Sequence, residues 1–204
     1  HGTADMTDQP TSADVEACLR DGGVALLPTD TVYGLAALPS IPSAVERIFA
    51  IKNRPPTRSL PVMVAGREGL EGLGVSVPPA AEKLMSSPWM PGPLTIALGF
   101  GDGERPEWLA EREEMAFRMP DEPIMLEVLA RTGALHVTSA NMHAEDTLQE
   151  VSQIVAQLAF APDIVVDDGP RDTVPSTLVN CAVEPPIVER DGVVSRAEIE
   201  AFLA

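Results

Sequence analysis

Lysine stands at only two of 204 positions, Lys52 and Lys83, in a chain whose 31 acidic residues outnumber 14 basic ones for a formal net charge of −17. Affinity for a nucleic-acid duplex comes largely from Lys and Arg neutralising phosphates, so a body of this charge repels nucleic acid at long range. Aromatic residues are scarce at 4%, which leaves Ala, Val, Leu and Ile to build the core. The two cysteines, Cys18 and Cys181, lie far apart without metal-ligand spacing and read as buried thiols of a reducing compartment. No apolar run approaches the ~18 residues of a membrane span, and residues 1–5 lack the basic and apolar regions of a signal peptide. A cytoplasmic location without membrane contact is expected.

Common catalytic signatures are missing too. The chain has no G-x-x-x-x-G-K-[ST] phosphate loop, no G-x-G-x-x-G after a strand, no H-E-x-x-H and no G-x-S-x-G elbow. Its three histidines, His1, His136 and His143, are scattered, and no metal site is expected. Asp167-Asp168 could pair on a metal but reads as a solvated turn before Gly169-Pro170.

What remains is an alternation of short apolar runs and helical patterns. Runs at 24–27, 60–64, 94–98, 115–118, 134–137, 163–166, 177–183 and 186–189 have the length of buried strands. Helical periodicity covers 12–21, with Ser12 as the expected cap, a stretch opened by the capping box Ser43-Ala44-Val45-Glu46, and 79–86, 123–131, 147–159 and 195–203. The twenty prolines and fifteen glycines fall mostly between these elements. Such interleaving predicts an α/β fold with a twisted mixed sheet flanked by helices. One domain is expected over residues 12–195, preceded by a loose polar segment, 1–11, with the helix at 196–204 belonging to the same domain.

Against the acidic background, a few segments stand out. Pro28-Thr29-Asp30-Thr31-Val32-Tyr33-Gly34-Leu35 comes directly after a buried strand, where α/β proteins place ligands, although a capped turn explains its hydroxyls equally well. Lys52-Asn53-Arg54-Pro55-Pro56-Thr57-Arg58 puts three cations into seven residues. A helix C-terminus favours cations by its macrodipole; the same set also suits a polyphosphate. Thr138-Ser139-Ala140-Asn141, Pro175-Ser176-Thr177 and Glu189-Arg190-Asp191-Gly192 lie at the ends of apolar runs, presenting polar groups to a ligand or merely capping the next element.

Taken in order, these segments resemble the YrdC/TsaC family of threonylcarbamoyl-AMP synthases. The family's pattern is PTDTVYGL, K-x-R-P, PGP-x-T, R-x-P, T-S-A-N, S-T and R-x-G. It is met at residues 28–35, 52–55, 91–95, 118–120, 138–141, 176–177 and 190–192. The resemblance implies the short, single-domain form, with a large basic cavity enclosed by the sheet and its helices. It implies nucleotidyl transfer in which L-threonine, bicarbonate and ATP, with Mg²⁺, give threonylcarbamoyl-adenylate and pyrophosphate. A tRNA-threonylcarbamoyl transferase would be the downstream partner, acting on the adenosine beside the anticodon. Residue by residue, Lys52, Arg54, Ser139 and Asn141 would surround the nucleotide phosphates, with Lys52 and Arg54 as catalytic cations and Arg58 and Arg190 as further ATP contacts. Thr31, Tyr33, Arg118 and Ser176 or Thr177 would hold threonine. A double-stranded RNA-binding or ribosome-associated role is also ascribed to the family, and the charge opposes it.

Three departures bear on these expectations. The pattern commonly continues T-S-A-N-x-S-G, whereas Met142-His143-Ala144 come after Asn141. Ser59-Leu60 replaces the usual Pro-Leu, and Met63 stands where many relatives have His. A paralogue acting on a different small acid is therefore the alternative reading.

Overall fold

The computed structural model describes residues 8–56 and 59–204. Along the chain run helix α1 (Ser12–Arg20), strands β1 (Ala25–Leu27) and β2 (Gly34–Ala37), helix α2 (Pro42–Ile51), strand β3 (Val62–Met63) and helix α3 (Pro79–Met85). They continue as β4 (Leu94–Gly99), β5 (Glu114–Arg118), α4 (Pro123–Thr132), β6 (Leu135–Ser139), α5 (Val151–Gln157), β7 (Ile164–Val165), β8 (Thr177–Asn180), β9 (Ile187–Arg190) and α6 (Arg196–Leu203). The strands form one sheet in the order β7-β1-β2-β6-β3-β5-β4-β8-β9. It is mixed: β7–β1, β3–β5 and β4–β8 are parallel and the other pairs antiparallel. No helix among the described residues is long and apolar enough to cross a membrane.

Period-two alternation decides which layer each strand feeds. In β2, Leu35 and Ala37 enter the core cluster under α2 and α5, while Ala36 enters the one under α1 and α4. In β4, β5 and β8, the residues Leu94, Ile96, Leu98, Met115, Phe117 and Val179 join the cluster packed with α3 and α6. Their neighbours Thr95, Ala116, Arg118 and Leu178 point the other way and line a cavity. Both cysteines are free; Cys181 is buried as expected, whereas Cys18 is half-buried.

Several local features differ from the sequence reading. Gly34–Ala37, which begins inside the candidate ligand segment, is a strand that pairs antiparallel with β1. The cap of α1 is Thr11, not Ser12. Its hydroxyl accepts from Asp14 N at 3.1 Å while Asp14 Oδ2 accepts from Thr11 N at 2.9 Å, a complete capping box. Ser12 instead donates to Glu127 Oε1 at 2.9 Å and ties α1 to α4. The segment before α1 is also tethered, since Gln9 Oε1 accepts from Asp167 N at 2.7 Å; residues 1–7 lie outside the described ones. In α2 the box at Ser43 does not form. Pro42, with its ring-fixed φ, takes the first helical position and leaves Ile41 as a cap without a side-chain bond. Helix α5 is shorter than expected, and β8 stops at Asn180, whose Oδ1 accepts from Ala182 N at 2.9 Å.

The two caps separate in a simple test. Thr11→Ala should lower the unfolding free energy by about 1 kcal/mol. Ser43→Ala, at an exposed position inside the helix, should stay within about 0.5 kcal/mol of the parent in the same urea titration.

Candidate functional site

The cavity has a volume of ≈ 860 Å³, and its wall draws on every motif segment singled out in the sequence that falls within the described residues. Ionisable side chains reach it by strand parity. Arg118 shares the cavity face of β5 with Ala116. Arg190 needs a further device, because Val188, two residues before it, points into the core. Leu178 pairs with Arg190 and Val179 with Val188, so a β-bulge puts two steps of β9 against one of β8. The extra residue, Glu189, inverts the facing and delivers Arg190 to the cavity.

One corner of the wall is formed by Ser139 and Asn141, with Lys52 bonded to both but not itself on the cavity lining. Lys52 ends α2, and the next residue, Asn53, takes the left-handed conformation at φ 49°, which Asn accepts more readily than most residues. The helix thereby closes, Arg54 N donating to Phe49 O at 2.9 Å. Lys52 is only 3% exposed. Its Nζ donates to Ser139 O, to Asn141 Oδ1 at 3.0 Å and to Ser139 Oγ at 3.4 Å. Ser139 Oγ in turn donates to Asn141 Oδ1 at 2.6 Å, and Asn141 Nδ2 to Glu145 O at 2.7 Å. Arg54 lines the cavity beside them, its guanidinium 5.8 Å from the Phe49 ring centre. Ala144 stands at φ 63°, a conformation costing a non-glycine residue roughly 1–2 kcal/mol. It occupies the place that the resembling pattern fills with Gly.

Across the cavity sits Arg118, 5% exposed. It donates to Asp30 Oδ1 at 2.6 Å, Gly92 O at 3.2 Å and Thr31 Oγ1 at 3.1 Å. Burial pushes its guanidinium below the usual range, and Asp30 works in the opposite direction. Arg190 has no carboxylate partner among the described residues. It is held by Ser176, through Nε and Nη2 to the carbonyl at 3.1 and 3.0 Å and Nη2 to Oγ at 3.0 Å. Ser176 Oγ also lies 2.7 Å from Thr95 Oγ1. Burial, then the like charge of Arg118, lowers the Arg190 pKa.

The structure therefore brings Arg54, Ser139, Asn141, Thr31, Arg118, Ser176 and Arg190 to the cavity wall, with Lys52 buried behind Ser139 and Asn141. Tyr33 also touches the wall, but its hydroxyl is engaged elsewhere, donating to Gly169 O at 2.6 Å and accepting from Asp168 N at 3.0 Å. Thr177 is separate: fully buried, it donates to Val194 O at 2.6 Å and does not line the cavity. Arg58 lies outside the described residues. Sequence reasoning does not pick out Asp30, the Gly92 carbonyl or Thr95. It reaches their segments, but which group faces Arg118 depends on contacts made 88 and 26 residues away. Among the described residues no group of three or more His, Cys, Asp or Glu could hold a metal. Asp167 and Asp168 belong to a turn in which Asp167 Oδ1 accepts from Gly169 N at 3.0 Å and Asp168 pairs with Arg171 at 2.6 Å.

This geometry can be tested by two measurements. Burial, and then the Arg54 charge, push Lys52 down to about 7. Between that value and the ordinary 10.5 the unfolded chain binds more protons than the folded one, so this group's contribution to stability rises with pH across the window. The stability of Lys52→Met relative to the parent should therefore fall between pH 7 and 10; parallel curves would refute it. At Gly192, an added Cβ would meet Pro175 O, Ser176 C and Thr177 N, each at 2.5 Å. These are backbone atoms of the loop that holds Arg190, so Gly192→Ala should cost roughly 1–3 kcal/mol or more in denaturant unfolding.

Comparison with known proteins places the sequence and the fold. The family model Sua5_yciO_yrdC, described as telomere recombination, matches residues 17–192. The threonylcarbamoyl-AMP synthase of Bacillus subtilis is 34% identical over 200 residues, covering 97% of this chain and 58% of that protein. The crystal structure of Pyrococcus abyssi Sua5 complexed with L-threonine aligns with a TM-score of 0.82 at 30% identity, over 92% of this chain and 56% of that one. Escherichia coli YciO aligns with a TM-score of 0.80 at 25% identity, over 94% of this chain and 95% of that one. The chain thus spans a little over half the length of the first two proteins and nearly all of the third. With a family model matched from 17 to 192 and its motifs gathered on one cavity wall, the chain belongs to the Sua5/YciO/YrdC family.

Proposed function

We propose that this chain forms threonylcarbamoyl-AMP and pyrophosphate from L-threonine, bicarbonate and ATP, serving tRNA modification through a downstream threonylcarbamoyl transferase. The observation that carries the reading is the preassembled network Lys52–Ser139–Asn141 beside Arg54, facing Arg118 and Arg190 across one cavity. A cationic corner with hydroxyl and amide groups suits a polyphosphate. A second cationic wall bearing the Thr31, Thr95 and Ser176 hydroxyls suits a small hydroxy-amino acid. The names of the B. subtilis synthase and of the threonine complex of P. abyssi Sua5 support that choice.

The chemistry asks for positioning more than for a strong base. The threonine amine attacks the carbon of carbon dioxide and loses a proton to give a carbamate; with bicarbonate the same bond forms as a C–O bond breaks and water leaves. A carbamate oxygen then attacks the α-phosphorus of ATP, and the α–β bridging oxygen leaves with pyrophosphate. Charge develops on the leaving group, where Lys52 and Arg54 would offset it. Mg²⁺ would arrive on the nucleotide's phosphates as part of the substrate.

The cavity keeps its arginines inward, while the exposed Arg20, Arg47, Arg67, Arg131 and Arg196 each pair with a carboxylate. Lys83 and Arg105, also exposed, make no ion pair among the described residues and lie over the Phe202 and Phe100 rings; in a chain of net charge −17 these cations do not favour the RNA-binding reading. Met63, on the cavity wall where many relatives have His, bears on which acid is used. The test is pyrophosphate release from ATP across a panel of amino acids with bicarbonate. Release should depend on threonine and on bicarbonate, and Lys52→Ala and Arg54→Ala should each lower it at least tenfold. Release with another acid and none with threonine would establish the paralogue instead.

A further inference from the structure

Four arginines line the cavity, Arg54, Arg112, Arg118 and Arg190. Three belong to the recurring motif segments; Arg112 belongs to none. It lies between the 3-10 turn Glu107–Leu109 and β5, and strand register shows which end of the cavity it serves. Val62 of β3 pairs with Phe117 on one side and His136 on the other, and Val137 N donates to Pro61 O at 3.2 Å. Ser59 and Leu60, just upstream, therefore run level with the Glu114 end of β5 and the Ser139 end of β6. Arg112 Nη1 donates to Leu60 O at 3.2 Å, so its guanidinium stands at the same end of the cavity as Lys52, Ser139 and Asn141.

This guanidinium is only partly satisfied. Its Nε is buried with no hydrogen-bond partner, and among the described residues Arg112 makes no ion pair. Glu111, Glu113 and Glu114, which share its stretch of wall, are exposed, and Glu114 is in reach of Asn180 Nδ2 at 3.4 Å. A half-buried guanidinium whose Nε has lost water, and which the Glu114 charge reaches without forming an ion pair, still gains from an incoming anion. Its backbone tether matches that of three other cations here: Lys52 on Ser139 O, Arg118 on Gly92 O and Arg190 on Ser176 O. The tether leaves the rest of the fork for a ligand.

We propose that Arg112 binds the terminal phosphates of the nucleotide, the part that departs as pyrophosphate. This rests on the nucleotide reading of the cavity, and the experiment keeps the two apart. Calorimetry would measure a non-hydrolysable ATP analogue, AMP and inorganic tripolyphosphate against the parent chain, Arg112→Met and Arg112→Lys. Arg112→Met should weaken the ATP analogue and tripolyphosphate by about tenfold or more and leave AMP unchanged, with Arg112→Lys recovering part of the loss. Equal affinity of parent and Arg112→Met for the ATP analogue overturns the proposal. So does an equal loss for AMP, which would signal a structural role or a contact elsewhere on the nucleotide. A parent chain that binds none of the three ligands overturns the nucleotide reading itself.

Discussion

Every other property of the cavity depends on how its cations are held. Guanidinium and ammonium groups taken out of water need partners, and a carboxylate partner would cancel the charge the site requires. The chain meets this with main-chain carbonyls. Ser139, Leu60, Gly92 and Ser176 each turn an oxygen to one cation. A carbonyl supplies a hydrogen bond and a partial negative charge, so the group is oriented while most of its positive charge remains available. Of these four cations only Arg118 also pairs with a carboxylate, Asp30.

This arrangement separates two electrostatic roles. The outer surface carries the negative balance that gives the net charge of −17. The inner wall gathers Arg54, Arg112, Arg118 and Arg190, with Asp30 paired to Arg118 and Glu111, Glu113 and Glu114 on the stretch of wall that carries Arg112. An acidic shell repels anions at long range, so attraction begins only near the mouth, where low-dielectric walls concentrate the field. Affinity for an anionic substrate then depends on short-range geometry more than on steering. Salt should accordingly weaken binding less than it would for an exposed basic patch.

Much of the sheet was legible in the sequence, because short apolar runs with turn residues at their ends have few alternatives. β4, β5, α4 and α6 lie within a residue of the expected bounds, at Leu94–Gly99, Glu114–Arg118, Pro123–Thr132 and Arg196–Leu203. The errors have local causes. Gly34–Ala37 carries small residues and no alternation, so its pairing with β1 was invisible. The α1 cap moved one residue because Thr11 and Asp14 formed the reciprocal pair. The cation-bearing segments could be recognised as a set, but Asp30, Gly92 and Leu60 as their anchors could not. Each anchor acts through its position in the folded sheet, and the Gly92 and Leu60 anchors are carbonyls, which every residue has. Ser176 and Thr177 show the same limit: adjacent hydroxyls, one at the cavity and one on Val194 O, separated by facing alone.

Facing is a two-valued variable in a strand, and the bulge in β9 sets it for Arg190. A point substitution nearby shifts a side chain by fractions of an ångström. With Glu189 kept and the bulge flattened into regular pairing, Val188 and Arg190 would share a face and the guanidinium would turn toward the apolar layer that now receives Val188; with Glu189 deleted, the two residues would be successive and would still face opposite ways. The bulged backbone, more than the number of residues, therefore sets which side of the sheet receives the charge.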